Sequence, residues 1–312
     1  MAKRYAYLGP AGTFTETALR QVPEAEGAEY LPCPNVVVAM DAVRRGEADA
    51  AMVPMENSVE GGVSATLDGL TGGEPLLVVR EVVVPVSFVL AARPGTRLED
   101  VHRISTHPHA HAQCRGWLAD HLPDAVYVPG LSTAAAAAGL REGAEDPGYQ
   151  AALCAPIAAE QYGLQALATD VGDNPNAVTR FVLVARPGPL PEPTGADKTT
   201  VVLYQSVDHP GGLLALLEQF AARGINLVRL ESRPTGDALG QYSFAIDAEG
   251  HVAEARVAEA LMSLHRVCRE VKFLGSYPAA DRKPQQLASG TSDGAFAEAR
   301  DWLEQVRAGQ VR

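Results

Sequence analysis

The chain has 312 residues, of which 46% are hydrophobic and 21% are charged, and its formal net charge is -12. This length favours two domains, the hydrophobic content excludes an intrinsically disordered chain, and the acidic balance argues against a nucleic-acid partner. No apolar run reaches the ~18 residues that cross a bilayer, and the first residues lack the apolar region of a secretory signal, so we expect a cytoplasmic protein without a membrane partner.

Before Arg186, short apolar strands alternate with helical patterns, which is typical of an α/β domain. The predicted strands are Arg4–Leu8, Ala50–Val53, Leu76–Val84, Ser87–Ala92, Arg103–Ser105, Ala151–Ala155 and Phe181–Val184. The predicted helices are Thr15–Val22, Val36–Arg45, Ser64–Leu70, Pro108–Asp120, Thr133–Glu142 and Ile157–Tyr162.

A proline-rich stretch, RPGPLPEPTGADK, runs from Arg186 to Lys198 and predicts a semi-rigid linker. It divides the chain into a first domain at residues 1–186, the linker at 187–198, a second domain at 199–278 and a polar tail at 279–312. The tail has one helical pattern, Ala295–Val306, for which disorder and a docking helix are both open.

The second domain shows a different order of elements. The predicted elements are, in chain order, a strand at Thr199–Gln205, a helix at Gly211–Arg223, strands at Ile225–Glu231 and Gln241–Asp247, a helix at Val252–Cys268 and a strand at Val271–Leu274. This βαββαβ order is that of the ferredoxin-like fold.

Four junctions in the first domain join a predicted strand to a predicted helix through small polar residues. They are GPAGTFT at Gly9–Thr15, ENSVEGGVS at Glu56–Ser64, STHPH at Ser105–His109, and Ser132–Thr133. Each alone is most simply an ordinary helix cap. If the strand ends converge at one sheet edge, however, several helix N-termini face one crevice. Such a crevice would bind carboxylates even in an acidic protein.

A fifth candidate is the segment GDNPNAVTRF, which ends in Thr179, Arg180 and Phe181 and enters an apolar strand. Arg180 is predicted to hold a substrate carboxylate in a bidentate pair, and a surface salt bridge at the strand start is an equally open interpretation.

The remaining candidates for cofactor chemistry are weak. GPAGTF is neither a P-loop nor a GxGxxG motif, so we expect no nucleotide cofactor. The four cysteines, Cys33, Cys114, Cys154 and Cys268, lie far apart without metal-ligand spacing. We therefore expect free thiols, a reducing compartment and no metal.

Several of these motifs together resemble a known family. GPAGTFT, ENSVEGG, STHPHAHAQC and NAVTRF are similar in order and spacing to the motifs of prephenate dehydratases over about residues 5–185. After the linker, HPGGLLALL and GINLVRLESRP resemble the phenylalanine-sensing ACT domain of that family. The resemblance implies an α/β catalytic domain with two lobes, like type II periplasmic binding proteins, and a ferredoxin-like ACT domain.

The resemblance also implies roles for individual residues. The catalytic residues would be Thr179, Arg180 and Phe181, and the substrate pocket would be lined by Thr13, Asn57, Ser58, Ser105 and Thr106. Glu56 and His107 are alternative proton donors. The phenylalanine site would comprise Gly211, Gly212, Leu213, Asn226, Glu231, Ser232, Arg233 and Pro234.

Two positions depart from the family pattern. His109 stands where the family usually has glutamine, and Gly211-Gly212-Leu213 replaces the usual Gly-Ala-Leu at the start of the ACT helix. A glycine at 212 still permits close approach of a ligand to the backbone.

The implied activity is conversion of prephenate to phenylpyruvate, CO2 and water, with phenylalanine as effector and a homo-oligomer, dimer or tetramer, formed through the ACT domains. Two alternatives stay open. One is an arogenate dehydratase, which takes the aminated substrate. The other is a sensor that binds small molecules without catalysis.

Overall fold

The computed structural model describes residues 3–207, 209–234 and 242–310. Contacts within this part of the chain define two compact units. The first contains the chain up to Gly69 together with Val82–Val184, and the second contains Leu70–Glu81 together with the chain from Ala185 onward. No helix of the described residues is long and apolar enough to span a membrane.

The first lobe of the first unit is built on a six-stranded sheet. Its strands are β1 (Arg4–Leu8), β2 (Glu29–Cys33), β3 (Ala50–Asn57), β4 (Gly61–Gly62), β5 (Leu77–Pro85) and β11 (Val178–Ala185). The boundary between the units lies within β5, of which only the part from Val82 onward belongs to the first unit. Their order is β2-β1-β3-β11-β5, with β4 paired to β3, and β1 runs parallel to both β2 and β3. The helices of this lobe are α1 (Phe14–Arg20), α2 (Val36–Arg44) and α3 (Ser64–Thr71).

The second lobe is built on a five-stranded sheet. Its strands are β6 (Val89–Ala92), β7 (Arg103–Thr106), β8 (Val126–Pro129), β9 (Ala151–Cys154) and β10 (Gln165–Ala168), in the order β10-β6-β9-β7-β8. The helices are α4 (Pro108–Ala112), α5 (Arg115–His121), α6 (Thr133–Ala138) and α7 (Pro156–Gln161). Phe88, Leu90, Ile104 and Leu153 are buried in its core, which fixes the sheet.

The predicted single helix Pro108–Asp120 is wrong, because the structure divides it at Gln113–Cys114. Cys114 is fully buried, and the carboxylate of Asp173 accepts hydrogen bonds from the backbone N–H groups of Gly116 and Trp117 at 2.9 and 3.0 Å. A carboxylate from a distant loop therefore caps the second helix, and such a cap leaves no signal in the local periodicity.

The second unit contains the predicted ferredoxin-like arrangement. Its elements are β12 (Asp197–Gln205), α8 (Gly212–Ala221), β13 (Leu227–Pro234), β14 (Tyr242–Glu249), α9 (Ala255–Val267), β15 (Cys268–Pro278) and α10 (Asp293–Arg307). The antiparallel sheet has the order β13-β14-β12-β15. The βαββαβ prediction is confirmed. Gln241, the predicted start of its third strand, lies outside the described residues.

The segment Leu70–Glu81 is part of this second unit although the linker follows it by about a hundred residues. Lys198 Nζ donates to both carboxylate oxygens of Glu81 at 2.9 Å, and the side chain of Glu81 is only 2% exposed. Lys272 Nζ donates to the carbonyl of Thr71 at 2.6 Å. A carbonyl acceptor and a buried ion pair thus hold the segment, which a strand prediction alone does not reveal.

Gly275 of β15 packs directly against this segment. A Cβ atom at Gly275 would lie 2.2 Å from the carbonyl oxygen of Val78, and the φ of Gly275 is +137°. The close approach therefore requires glycine.

Gly275→Ala is expected to destabilise the protein by about 3 kcal/mol, which lowers Tm by about 5 °C, because a backbone atom must move. Calorimetry of the full chain measures this. Gly195→Ala is the matched control, since Gly195 also has positive φ but no atom within 4 Å of the added Cβ. Equal losses in the two variants would contradict the packing argument.

Candidate active site

A cavity of about 590 Å³ lies between the two lobes of the first unit. This volume is within the range of sites for small ligands. All four predicted junctions contribute to its lining. They contribute Gly9, Thr13, Phe14 and Thr15, then Asn57, Glu60, Gly61, Gly62 and Val63, then His107 and His109, and finally Ser132 and Thr133. The prediction that the junctions face one crevice is therefore confirmed.

Cap hydrogen bonds fix these junctions. The Thr13 hydroxyl donates to the carbonyl of Leu8 at 2.9 Å and accepts from the N–H of Glu16 at 3.4 Å. The Ser132 hydroxyl accepts from the N–H of Ala135 at 3.0 Å. The described residues that line the cavity include neither lysine nor arginine. An anion in the cavity would therefore contact backbone N–H groups, hydroxyls and imidazoles.

Thr179 presents an oriented hydroxyl to the cavity. The Asn57 amide donates from Nδ2 to Thr179 Oγ1 at 2.8 Å. Asn57 is itself held by its Oδ1 atom, which accepts from the N–H groups of Val59 at 2.8 Å and Glu60 at 3.1 Å. Because the hydroxyl oxygen accepts from Asn57, its own O–H is directed to a different acceptor. Thr179 is thus placed to donate a hydrogen bond.

Arg180 lies on the opposite face of β11 from Thr179 and Phe181. Successive side chains of a strand alternate between faces, and only Thr179 and Phe181 of the three are among the residues lining the cavity. The Arg180 side chain is 9% exposed and lies 3.8 Å from Glu56, measured from Nη1 to Oε2. The structure therefore places this guanidinium beside a protein carboxylate and does not bring it to the cavity.

Three further predicted pocket residues support the wall without lining the cavity. Ser58 is bonded to Val178 twice, by its N–H to the carbonyl at 2.9 Å and by its hydroxyl, which accepts from the N–H at 3.0 Å. The buried Thr106 hydroxyl donates to the carbonyl of Leu153 at 2.7 Å. Ser105 is also buried, and a Cβ atom at Gly130 would lie 3.1 Å from its hydroxyl.

Two histidines line the cavity. His107 Nδ1 accepts a hydrogen bond from the N–H of His109 at 3.3 Å. Burial lowers the pKa of His107, the charge of His109 lowers it further, and Glu60 opposes the shift. His109, which stands where the family usually has glutamine, belongs to the second lobe. Its Nδ1 atom lies 3.7 Å from Oε2 of Glu60 in the first lobe. His107 is therefore held as a neutral acceptor.

Apart from Phe181, the apolar side chains of the lining were not singled out as site residues by the sequence. Phe14 packs edge-to-face against Phe88, with ring centroids 5.6 Å apart, and Val86 and Leu131 lie nearby in the lining. The position of Phe14 within GPAGTFT was a usable signal, because it directly follows the predicted capping residue. Phe88 and Val86 gave none, since apolar residues in or beside a predicted strand are usually core.

The predicted phenylalanine-site residues fall at two ends of the second unit's sheet. Gly211, Gly212 and Leu213 lie at the start of α8, after the end of β12. The Asn226 carbonyl accepts from the N–H of Glu249, which pairs with the beginning of β12. Within one chain, Asn226 is therefore far from Gly211–Leu213. Ser232–Pro234, in contrast, lies toward the same end of the sheet as Gly211–Leu213.

The structure explains why residue 212 is glycine, where the family usually has alanine. A Cβ atom there would lie 2.6 Å from Nε2 of Gln205. The amide of Gln205 occupies the space that the usual alanine methyl group would need.

No group of three or more His, Cys, Asp or Glu side chains within the described ranges could hold a metal ion.

Comparisons with known proteins match both units. The family model described as prephenate dehydratase matches residues 5–189, and the ACT domain model matches residues 200–266. A prephenate dehydratase of Amycolatopsis methanolica is 48% identical over 308 residues, covering 98% of this chain and 99% of that protein. The crystal structure of a prephenate dehydratase from Arthrobacter aurescens in complex with L-Phe is 60% identical with a TM-score of 0.92, covering 98% of this chain and 99% of that chain.

A further solved structure is described as GqqA, a novel type of quorum quenching acylase. It is 33% identical with a TM-score of 0.79, covering 89% of this chain and 98% of that chain. A protein of the same fold is therefore described as an acylase.

The pKa of His107 is expected to lie below its ordinary value of 6.5, so the imidazole stays neutral at neutral pH. Because the folded pKa is depressed, the stability contributed by neutral His107 is present above pH ~6.5 and is lost as the pH falls toward the folded pKa. NMR titration of the imidazole, assigned with His107→Gln, measures the midpoint. A midpoint at or above that of the denatured chain would contradict the burial argument.

Proposed function

The chain belongs to the prephenate dehydratase family and carries an ACT domain, and we propose that it converts prephenate to phenylpyruvate, CO2 and water in phenylalanine biosynthesis, with phenylalanine as its allosteric effector. The observation that best supports the proposal is the Thr179 hydroxyl, which the Asn57 amide orients at a cavity bounded by four helix starts.

The reaction requires little covalent chemistry from the protein. Prephenate carries a ring carboxylate, a ring hydroxyl para to it and a pyruvyl carboxylate. When the ring carboxylate leaves as CO2, its bonding electrons enter the ring and expel the hydroxyl group as hydroxide, which takes up a proton from solvent to become water. The ring becomes aromatic, which supplies the driving force. The enzyme must hold two carboxylates and stabilise the departing oxygen.

We assign the stabilising donor to Thr179. Its oxygen accepts from Asn57, so its O–H is available to the departing hydroxyl of a substrate in the cavity. Threonine is too weak an acid to transfer its own proton fully. It therefore acts as a fixed hydrogen-bond donor, which contributes on the order of 3 kcal/mol to lowering the barrier.

The alternative proton donors are less well suited. The Glu56 carboxylate faces Arg180 on the other side of the strand from Thr179. His107 accepts at Nδ1 and has a pKa lowered by burial, so it carries little of the protonated form at neutral pH. Both arguments favour Thr179.

The cavity walls suit a cyclic dianion. Phe14, Phe88 and Phe181 provide apolar surface for the ring. The helix starts at Thr13 and Ser132 provide backbone N–H groups for carboxylates. Arg180 acts indirectly in this proposal, by pairing with Glu56 and so offsetting a negative charge close to the cavity.

Three alternative functions differ from the proposal in the substrate that is turned over or in the absence of turnover. Arogenate differs from prephenate by an amino group in place of the keto group, and a sensor would bind without turnover. The similarity to an acylase raises amide hydrolysis as a third rival, which needs a nucleophile activated by a base. The Thr179 hydroxyl is hydrogen-bonded to the amide of Asn57, which cannot serve as a base as a histidine would. The geometry therefore favours dehydration.

The effector would act through a homo-oligomer, either a dimer or a tetramer. Asn226 directly precedes β13 and Ser232–Pro234 ends it, and this strand spans about 23 Å at ~3.3 Å per residue. A second copy that places its Asn226 beside Gly211–Leu213 would complete the site. Phenylalanine would then shift the equilibrium between states by binding one of them more tightly.

We also place the protein in the cytoplasm. The four cysteines are unpaired and buried. Burial raises the pKa of Cys114 and of Cys154 to about 12, so these thiols stay protonated and unreactive. Unpaired thiols of this kind are usual in a reducing compartment.

Thr179→Ala is expected to lower kcat about 10²- to 10³-fold, because the donor to the departing oxygen is lost, while KM changes little. Thr179→Ser is the matched control and should retain most activity. Absorbance of phenylpyruvate in alkali follows the product. An unchanged kcat in Thr179→Ala would refute the assignment of the donor.

The substrate is tested with prephenate, arogenate and an acyl amide in parallel, each with and without millimolar phenylalanine. Turnover of prephenate that phenylalanine suppresses is expected. Turnover of arogenate alone, of the amide alone, or binding without turnover would each replace the proposal by the corresponding rival.

Ser232→Ala is expected to weaken the response to phenylalanine several-fold and to leave the basal rate unchanged, because Ser232 lies in the second unit on β13. The exposed Ser289 of the same unit provides the control, Ser289→Ala. A loss of basal rate in Ser232→Ala would contradict the division of roles between the two units.

A further inference from the structure

Glu16 of α1 is a buried carboxylate to which the mechanism assigns no role. Its side chain is only 5% exposed. Oε2 accepts from the N–H of Gly12 at 2.7 Å and from the hydroxyl of Tyr7 at 3.3 Å. Oε1 accepts from Arg20 through Nη2 at 2.7 Å and Nε at 3.1 Å, and from Nε2 of Gln161 at 2.7 Å.

One of these donors comes from the other lobe. Gln161 ends α7 of the second lobe, whereas Tyr7, Gly12 and Arg20 belong to the first. Next to it, the Tyr162 hydroxyl donates to the carbonyl of Ala11 at 2.9 Å. We call this set of contacts between Ala11, Gly12 and Glu16 on one side and Gln161 and Tyr162 on the other the interlobe clasp.

The clasp leaves no room for adjustment at Gly12. A Cβ atom there would lie 2.9 Å from the backbone of Ala158 in α7, and the φ of Gly12 is +85°. The two lobes are therefore in direct backbone contact where Glu16 holds the Gly12 amide.

Only an ionised carboxylate can satisfy all of these donors. Burial by itself would raise the pKa of Glu16, but hydrogen bonds from Gly12, Arg20 and Gln161 lower it below its ordinary value. An amide at this position would turn one of the two acceptor atoms into a donor that faces other donors.

The clasp is continuous with the wall of the cavity. Gly12 directly precedes Thr13 and Phe14, both of which line the cavity. Phe14 also packs against Phe88 of the second lobe. The position of this wall relative to the His107 and Ser132 junctions therefore depends on how tightly the clasp holds the lobes together.

We propose that Glu16 is a positioning residue for the dehydration, which holds the two lobes at the separation the substrate dianion requires by binding Gly12 of the first lobe and Gln161 of the second. The inference rests on the proposed function, because prephenate is the ligand whose two carboxylates must be held by both lobes. Loosening the clasp weakens binding more than it slows the chemical step, since Thr179 and Asn57 belong to the first lobe alone.

The test compares steady-state kinetics on prephenate for wild type, Gln161→Ala, Glu16→Gln and the double variant. Gln161 is exposed, so Gln161→Ala removes the interlobe bond without opening a core. We expect KM to rise about tenfold in Glu16→Gln and several-fold in Gln161→Ala, with kcat within about threefold of wild type. In the double variant, Gln161→Ala should add less than twofold to the effect of Glu16→Gln, because both act through one contact.

Glu29→Gln is the control for the loss of charge. Glu29 lies in the same lobe and accepts from Arg4 at 2.8 Å. Its KM should equal that of wild type. Unchanged KM in both Gln161→Ala and Glu16→Gln, or a lowered Tm with KM and kcat of wild type, would assign the clasp a purely structural role and overturn the inference. Failure of wild type itself to turn over prephenate would instead overturn the proposed function.

Discussion

The Asn57–Thr179 hydrogen bond joins residues 122 positions apart, and it depends on where the chain crosses between the lobes. The chain leaves the first lobe after β5 and returns at β11. The crossing segments are bonded directly to each other, by the N–H of Val86 to the carbonyl of Ala177 at 2.8 Å. Ser58 adds two bonds to Val178. These contacts fix the start of β11 and with it the face on which Thr179 is presented. The part of the cavity wall formed by Val86, Thr179 and Phe181 therefore depends on these contacts.

Electrostatics explains how a chain of net charge -12 can hold a dianion. The described cavity lining lacks lysine and arginine, so the favourable field would come from peptide dipoles at the helix starts. Elsewhere, cations are engaged by protein carboxylates, such as Arg180 by Glu56, Arg20 by Glu16 and Lys198 by Glu81. Fixed dipoles need no counterion and cost no reorganisation when the substrate charge moves. The overall charge therefore says little about the field inside the site.

The sequence predicted the fold class and the junctions well, because apolar periodicity and capping residues are local properties. The predicted strand began at Phe181, whereas β11 begins at Val178. With the correct start, the alternation of side chains along a strand would have predicted that Arg180 and Thr179 lie on opposite faces. Other outcomes depend on contacts between distant residues. The cap of α5 comes from Asp173, and Thr106 is held by Leu153. The tertiary fold sets this packing, so the family resemblance implied Ser105 and Thr106 in the pocket, whereas the structure places them behind its wall.

The segment Leu70–Glu81 bears on how such a protein can gain or lose its regulatory part during evolution. The linker marks an obvious point of fusion in the sequence, yet Leu76 and Val78 are buried in the unit that contains the C-terminal sheet. A chain cut at the linker would expose these apolar side chains and separate the Glu81 carboxylate from Lys198. A functional ancestor without the ACT domain would therefore need a different, more polar sequence at 70–81. Recombination at the linker alone would therefore leave the segment Leu70–Glu81 without the residues it packs against, such as Gly275.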